Sequence, residues 1–533
     1  MFAFVQQAFA FLRSLFPVND QEPADYPFAA SDIAQLHRIG GGMVAASVDQ
    51  PTWEGMLLDS YFVRLTSQVS IFGKQVLYRI LRDGQDDAAR DALDERLRLL
   101  SGDPDRLAIL TEACKSLRHA DTDIATLLFE EDLPAVPKWA GQGWLLGVGL
   151  TASVGAVVLS PLAWLGAGFF LYQLIAIQMR FHERLAVWNR AMRSLQMMLR
   201  GASLLGAIDH PLLREVARDS ALAGKINRGL SRFVVDLVPG MREYRDWFML
   251  ANVKHYFKGV GIVGLHRQFL RDCYLRVAGV EADLALARHL LACGPTCRAE
   301  RSDGAVVIEQ AVHPLLERPA ALTIALHGRG AFISGQNGVG KSTLLRTIGL
   351  NLLAARAFGF CYASRASVPM LPVFASMQSE DSMLGGESLY IAELQRAREL
   401  LAAAAGPGRI ICLIDEIFRG TNHLESVSAA AAVLDELARH GTVIVSSHNL
   451  VLASLLEHRL APLCVAPGAD GALALSPGVL VQTNGIALLA QRGFGTDIEA
   501  KAARVAGWLG AWLAHPEGAG GVLRGGAVEL RRA

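Results

Sequence analysis

Between residues 30 and 130 the apolar positions recur every three to four residues, the spacing of amphipathic helices. Asp91-Ala-Leu-Asp-Glu-Arg-Leu-Arg-Leu-Leu100 shows it well, and Ser101-Gly-Asp-Pro104 predicts where that helix stops. Residues 181–295 read as helical again, with breaks predicted at Gly240 and at Gly259-Val-Gly261. Near Ala305 the period shortens. Val306-Val-Ile308, Leu322-Thr-Ile-Ala-Leu326 and Ala331-Phe-Ile-Ser334 predict strands, and a helix is predicted from Lys341 to about Ala357. Ile410–Ile414 and Thr442–Ser446 are continuous apolar runs, the signature of buried parallel strands. A Gly-rich tail from Pro516 to Arg532 predicts a flexible end. No internal repeat is evident.

One segment breaks the amphipathic pattern. From Trp139 to Met179, about 41 residues, no side chain is charged, against the roughly 20 that one membrane-crossing helix needs. Ser160-Pro161 near its middle predicts a turn, and Lys138, Arg180 and Arg184 flank it. Uncharged length and basic flanks together predict a transmembrane hairpin with both ends on the cytoplasmic side. A buried helical hairpin is the competing reading, since the frequent Gly and Ala suit close helix packing in either setting. The apolar start, Met1 to Pro17, lacks the basic region and cleavage site of a signal peptide.

Length and charge narrow the field. A chain of 533 residues predicts two or more domains. Lys+Arg and Asp+Glu both number 51, so no generally basic surface advertises nucleic-acid binding. Hydrophobic residues reach 52% against 19% charged, which adds weight to the membrane expectation. Of seven cysteines only Cys293 and Cys297 are close together. With no second ligand pair nearby, reduced thiols are the simpler expectation than a metal site.

The chemistry concentrates in two motifs. Gly335-Gln-Asn-Gly-Val-Gly-Lys-Ser342 is a complete phosphate-binding loop, entered from a predicted strand and followed by a predicted helix. Gly335, Gly338 and Gly340 let the backbone N–H groups approach phosphate oxygens. Lys341 supplies a point charge for the β/γ-phosphates, and Ser342 offers a hydroxyl to Mg²⁺, with Thr343 beside it in the loop. About 70 residues on, Cys412-Leu-Ile-Asp-Glu416 is an apolar strand ending in two carboxylates. Asp415 is predicted to serve the metal and Glu416 the attacking water. ATP and Mg²⁺ are therefore the expected ligands, and ATP hydrolysis the expected reaction.

Together these motifs resemble the ATPase domain of the MutS mismatch-repair family. The resemblance rests on the phosphate loop, Gly385-Gly-Glu-Ser-Leu-Tyr-Ile-Ala-Glu393, Asp415-Glu-Ile-Phe-Arg-Gly-Thr421 and Ser446-Ser-His448, followed by Pro477-Gly478, Asn484-Gly-Ile486 and Gly493-Phe494. It spans roughly residues 305–505. A weaker likeness to the start of that family's helical core, or lever, runs from Val48-Asp-Gln-Pro-Thr-Trp53 to Gly73-Lys-Gln-Val-Leu-Tyr78. The resemblance implies that Asn337 contacts nucleotide and that His448 senses the γ-phosphate or positions water. It also implies a homodimer in which Ser388 reaches the partner's γ-phosphate. Leu384-Gly-Gly-Glu-Ser388 superficially resembles an ABC-transporter signature, but Asp-Glu-Ile-Phe-Arg-Gly-Thr is the MutS pattern.

Departures from the family shape the remaining expectations. Only about 45 residues precede the core-like segment, too few for the mismatch-reading domain. Phe129-Glu-Glu131 and Phe181-His-Glu183 fit the family's Phe-x-Glu wedge, but among 22 Phe such matches are expected by chance. The segment where the family stacks an aromatic on adenine offers only His327 and Phe332.

The expected fold class is α + α/β. The expected domains are an apolar start (1–30), a helical core-like region (31–138), the transmembrane hairpin (139–179), a further helical core or lever region (180–304), a P-loop ATPase domain of ABC/MutS type (305–513) and a tail (514–533). The function implied is an ATPase anchored in the inner membrane, with its ATPase domain in the cytoplasm. It would bind ATP at composite dimer sites and move its helical arms. The alternative is a DNA-binding repair or recombination protein, and for that reading the placement is cytoplasmic.

Overall fold

The computed structural model describes residues 26–40, 47–130, 132–232, 241–377, 389–468, 473–480, 485, 494 and 496–513. Within these the chain is helical up to Ala292 and then α/β. The helices used below are Gln50–Gly55 (α1), Trp144–Ala156 (α2), Ala163–Gly206 (α3), Lys341–Phe358 (α4), Leu389–Ala404 (α5) and His423–His440 (α6). Strands are β1 (Cys297–Arg301), β2 (Val306–Ala311), β3 (Leu322–Leu326), β4 (Gly330–Gly335), β5 (Phe360–Cys361), β6 (Arg365–Val368), β7 (Val373–Ser376), β8 (Ile410–Asp415), β9 (Gly441–Ser446), β10 (Leu460–Pro467) and β11 (Leu473–Pro477). By packing, the described residues form two compact units. One draws on 26–33, 68–73 and 108–281, the other on 34–67, 74–107 and residues from 282 onward.

The first unit is all helical. The buried Glu281 carboxylate accepts from Ser70 N at 2.8 Å and Gly73 N at 3.1 Å, capping amides at the start of a helix. Phe181 is buried among Trp139, Tyr256 and Phe257, and Phe129 lies against Tyr274 and the Arg271 guanidinium. Phe181 is thus part of the unit's interior, and Phe129 packs half-buried against it. The break predicted at Gly259-Val-Gly261 is absent, because the helix Ala251–Leu265 runs through it. Gly259 is there for close packing: a Cβ would meet the Trp188 indole at 3.2 Å. Gly240 lies outside the described residues.

The hairpin is present, but the membrane span is not. α2 and α3 are joined by a turn at residues 157–162. α2 has 13 residues, about 20 Å of rise, short of the roughly 30 Å hydrocarbon core. α3 has 44 residues, but Gln173 and Gln178 interrupt its apolar start, and Gln178 bonds Asn252. Among the described residues no helix is long and apolar enough to cross a membrane. This overturns the expected transmembrane hairpin, and with it the bilayer as partner and the inner-membrane placement. Absence of charge is not hydrophobicity: Gln, Ser, Thr and Gly dilute the stretch. Val158, Leu159, Leu162 and Leu165 at the turn remain exposed.

The second unit holds the sheet. Its strand order is β5-β1-β6-β2-β3-β11-β10-β4-β9-β8-β7. From β10 to β7 the five neighbours are all parallel. β4, β8 and β9 are buried along their whole length, as expected of parallel strands covered on both faces. Ile410, Cys412, Ile414, Val443 and Val445 pack with Ala430, Leu434 and Leu437 of α6 and Leu400 of α5. The close strand approach has a local requirement. A Cβ on Gly330 would lie 2.1 Å from Val443 O, so only glycine admits β9 there. Residues 1–25 of the apolar start (1–30) and the tail (514–533) lie outside the described residues.

Candidate active site

Register alone gathers the motif residues. β4 pairs with β9 so that Ile333 sits opposite Ser446, and β9 pairs with β8 so that Ser446 sits opposite Asp415. The carboxyl ends of three adjacent parallel strands therefore carry the phosphate loop, Ser446 and Asp415-Glu416. Ligands of open α/β sheets sit at such ends.

The loop has the backbone its glycines permit. Gly338 (φ 78°) and Gly340 (φ 98°) are left-handed, a conformation that strains any other residue. Gly335 closes β4, and Lys341, Ser342 and Thr343 form the first turn of α4, which no side chain caps. A helix start of this kind presents amides and a positive dipole end to an anion. Lys341 is buried, and its Nζ donates to Gly335 O at 3.1 Å and Gln336 O at 3.2 Å. Burial holds its pKa below the usual lysine range, against the opposing pull of Glu416 and Asp415. Asn337 lies beside Gly485, where a Cβ would sit 3.6 Å from its Nδ2. This brings one residue of the Asn484-Gly-Ile486 segment next to the loop. Asn484, Ile486 and Gly493 themselves lie outside the described residues.

Asp415 is buried. Its Oδ1 accepts from Ser446 Oγ at 2.5 Å, while Oδ2 is buried without a protein partner. An orphaned carboxylate oxygen inside a protein is costly unless something outside the chain satisfies it. With Ser342 on the neighbouring loop, the donor set is hard oxygen only, and a divalent cation completed by water and phosphate fits it.

Glu416 is held in an unusual conformation. Its φ is 63°, and Phe418 two residues on has φ 56°. Non-glycine residues in this region cost about 1–3 kcal/mol each and persist where surroundings impose them. Glu416 N donates to Ser446 O at 3.0 Å. Its Oε1 is 3.2 Å from His448 Nε2, an ion-pair distance without hydrogen-bond alignment. His448 is half exposed and Glu416 mostly buried. The carboxylate and imidazole predicted to handle water are therefore neighbours.

Some expectations find no place here. Ser388 and the rest of 378–388 lie outside the described residues. Phe332 is fully buried in the sheet core and His327 lies in the turn before β4, at the far end from the loop, so neither can stack on a base bound there. An open cleft lined by Arg329, Asp435, Arg439 and Arg459 lies at that far end too, where β4 begins. Arg439 and Arg459 already face Asp435 there. Sequence reasoning also missed Glu393, which accepts from Arg419 N at 2.8 Å. It closes the Gly385–Glu393 segment, whose serine is the residue that the family resemblance brings forward.

Comparison with known proteins agrees with this geometry. The family described as MutS domain V matches residues 331–465. DNA mismatch repair protein MutS of Thermotoga maritima is 27% identical over 237 residues, covering 42% of this chain and 30% of the relative. DNA mismatch repair protein msh3 of Emericella nidulans is 27% identical over 224 residues, covering 40% and 20%. MutS of Treponema pallidum is 30% identical over 211 residues, covering 37% and 23%. The matched segment is thus less than a third of each relative's own length. The likeness to the MutS family therefore lies in residues 331–465 of this chain, the part that carries the phosphate loop and the Asp415-Glu416 pair.

Proposed function

We propose that this chain is an ATP hydrolase. The observation that carries the reading is the convergence of the phosphate loop, the orphaned Asp415 oxygen and the Glu416–His448 pair at three adjacent strand ends. The loop amides and Lys341 bind the β- and γ-phosphates. Lys341 leaves the loop carbonyls Gly335 O and Gln336 O to do so. Ser342 and Asp415 would hold Mg²⁺, which supplies charge neutralisation on the phosphates. Glu416 orients water and takes its proton, and His448 beside it fixes that carboxylate or meets the γ-phosphate.

The site is further proposed to be completed across a homodimer by Ser388 of the second copy, with ATP closing the composite sites and hydrolysis reopening them. Mixing two dead variants tests this. Lys341→Ala and Ser388→Ala homodimers each carry two defective sites, whereas a mixed dimer keeps one intact. Recovery of ATPase on mixing is expected; its absence contradicts a composite site.

What hydrolysis drives is a separate question. The relatives are named DNA mismatch repair proteins, which favours DNA as the ligand moved or clamped. Zero net charge means that such binding needs a local basic face. Electrophoretic-mobility titrations over a salt series are expected to show affinity falling steeply with salt. No salt-sensitive binding by the purified protein contradicts the DNA reading.

A further inference from the structure

Glu416 and Phe418 stand in left-handed conformations, so something outside the loop must impose its shape. The loop's own sequence offers little, because Ile417 and Phe418 are apolar and Arg419-Gly420 carry no acceptor side chain. The restraint comes from α5. Glu393 lies one turn into that helix, and its Oε2 accepts from Arg419 N at 2.8 Å and Gly420 N at 3.4 Å. Its Oε1 is 3.5 Å from Arg419 Nε. Tyr390, one turn earlier, meets the buried Phe418 ring edge-on at 6.0 Å. A Cβ on Gly420 would lie 2.6 Å from Tyr390 N, so the loop and the helix start are in direct backbone contact.

α5 is itself anchored. Arg396, one turn beyond Glu393, is buried and donates through Nη2 to Ala375 O at 2.6 Å in β7. Its Nη1 donates to Asp49 Oδ2 at 2.6 Å, and Nη2 reaches Thr52 Oγ1 at 3.2 Å. Asp49 caps α1 by accepting from Thr52 N. The helix is thus tied to the sheet and to α1 by one side chain and to the catalytic loop by another.

We propose that Glu393 is a positioning residue for hydrolysis. It fixes the two loop amides that follow Glu416 and so sets where the Glu416 carboxylate points. It touches neither nucleotide nor water in this role. The inference rests on the reading of Glu416 as the residue that activates water. A charged acceptor serving two amides is stronger than a neutral one. Removing it lets the strained turn relax by small displacements, to which proton-abstraction geometry is sensitive.

The test uses the full chain and four proteins: wild type, Glu393→Gln, Glu393→Leu and Glu416→Ala. Glutamine keeps an oxygen acceptor and leucine keeps only shape. The expectation is a graded loss of kcat, with leucine roughly 10- to 100-fold below wild type and glutamine between them. Binding of a fluorescent ATP analogue and KM should stay within about twofold, because the phosphate loop is untouched. In a Glu416→Ala background, Glu393→Leu should cost nothing further, since a positioning residue has nothing left to position. A merely structural role predicts the opposite: a lowered Tm with unchanged kcat per folded molecule in the wild-type background. Where leucine prevents folding, the glutamine variant carries the decision, and wild-type kcat in it overturns the proposal. If wild type does not turn over ATP, or Glu416→Ala turns over normally, the underlying reading fails. Loss in Glu416→Ala with full kcat in folded Glu393→Leu overturns this inference alone.

Discussion

Lys341 spans the phosphate loop and is bonded to two loop carbonyls, so its removal takes away both the loop's internal brace and its only cation. Lys341→Ala is expected to weaken ATP binding by at least roughly 100-fold in equilibrium titration; unchanged affinity would remove its assignment. The orphaned Asp415 oxygen makes a different prediction. Asp415→Asn replaces a carboxylate by an amide next to the Ser446 hydroxyl, so hydrolysis should demand far more Mg²⁺ at fixed ATP. A wild-type Mg²⁺ dependence would take Asp415 out of the metal site. These residues are legible in the sequence because the loop and the carboxylate pair are contiguous motifs whose types follow from phosphate and metal chemistry. Glu393 is not, since it lies 26 residues before the first amide it holds and no local pattern marks a helix side chain as a loop clamp.

At the scale of elements, the strands are legible and the hairpin's setting is not, for related reasons. Ile410–Ile414 and Thr442–Ser446 are apolar throughout because both sheet faces are covered, and an apolar run so short fits a doubly covered strand better than a helix. Residues 139–179 are uncharged without being uniformly apolar, and α2 ends after 13 residues. A count of charges is blind to the Gln, Ser and Gly that set this limit. Gly259 has the sequence look of a breaker, though it serves packing against Trp188, a tertiary demand invisible locally. The parallel core makes its own prediction. Gly330→Ala would drive a methyl into Val443 O between β4 and β9, and overpacking of this kind costs roughly 1–3 kcal/mol. Chemical denaturation should show that loss, and a stability equal to wild type would mean that β4 and β9 are spaced more loosely.

For the molecule as a whole, two buried histidines predict how the second unit responds to acid. His289, bonded to Tyr362 Oη at 2.8 Å, and His313, which accepts from Leu315 N, both have pKa values pushed down to about 4, chiefly by burial. The unfolded chain takes up these protons near the ordinary value of about 6.5, so it binds more protons than the folded chain between about 6.5 and 4. The stability contributed is present above about 6.5, falls as pH drops through that window, and levels off below about 4. Tm measured from pH 7 to 4 should decline, and less so in His313→Asn. A flat profile would contradict the burial of both rings. The first unit shows only the repeating apolar spacing of packed helices, a pattern that encodes its interior and not what its surface meets.

The central proposal is that this chain, whose residues 331–465 match MutS domain V, hydrolyses ATP with Glu416 as the residue that activates water. It is tested most directly by measuring ATP affinity and single-turnover hydrolysis side by side in wild type and Glu416→Ala. Wild type is predicted to bind and cleave ATP, and the variant to bind with similar affinity while cleaving at least roughly 100-fold more slowly. Equal cleavage rates in the two proteins, or no cleavage in wild type, would contradict the account.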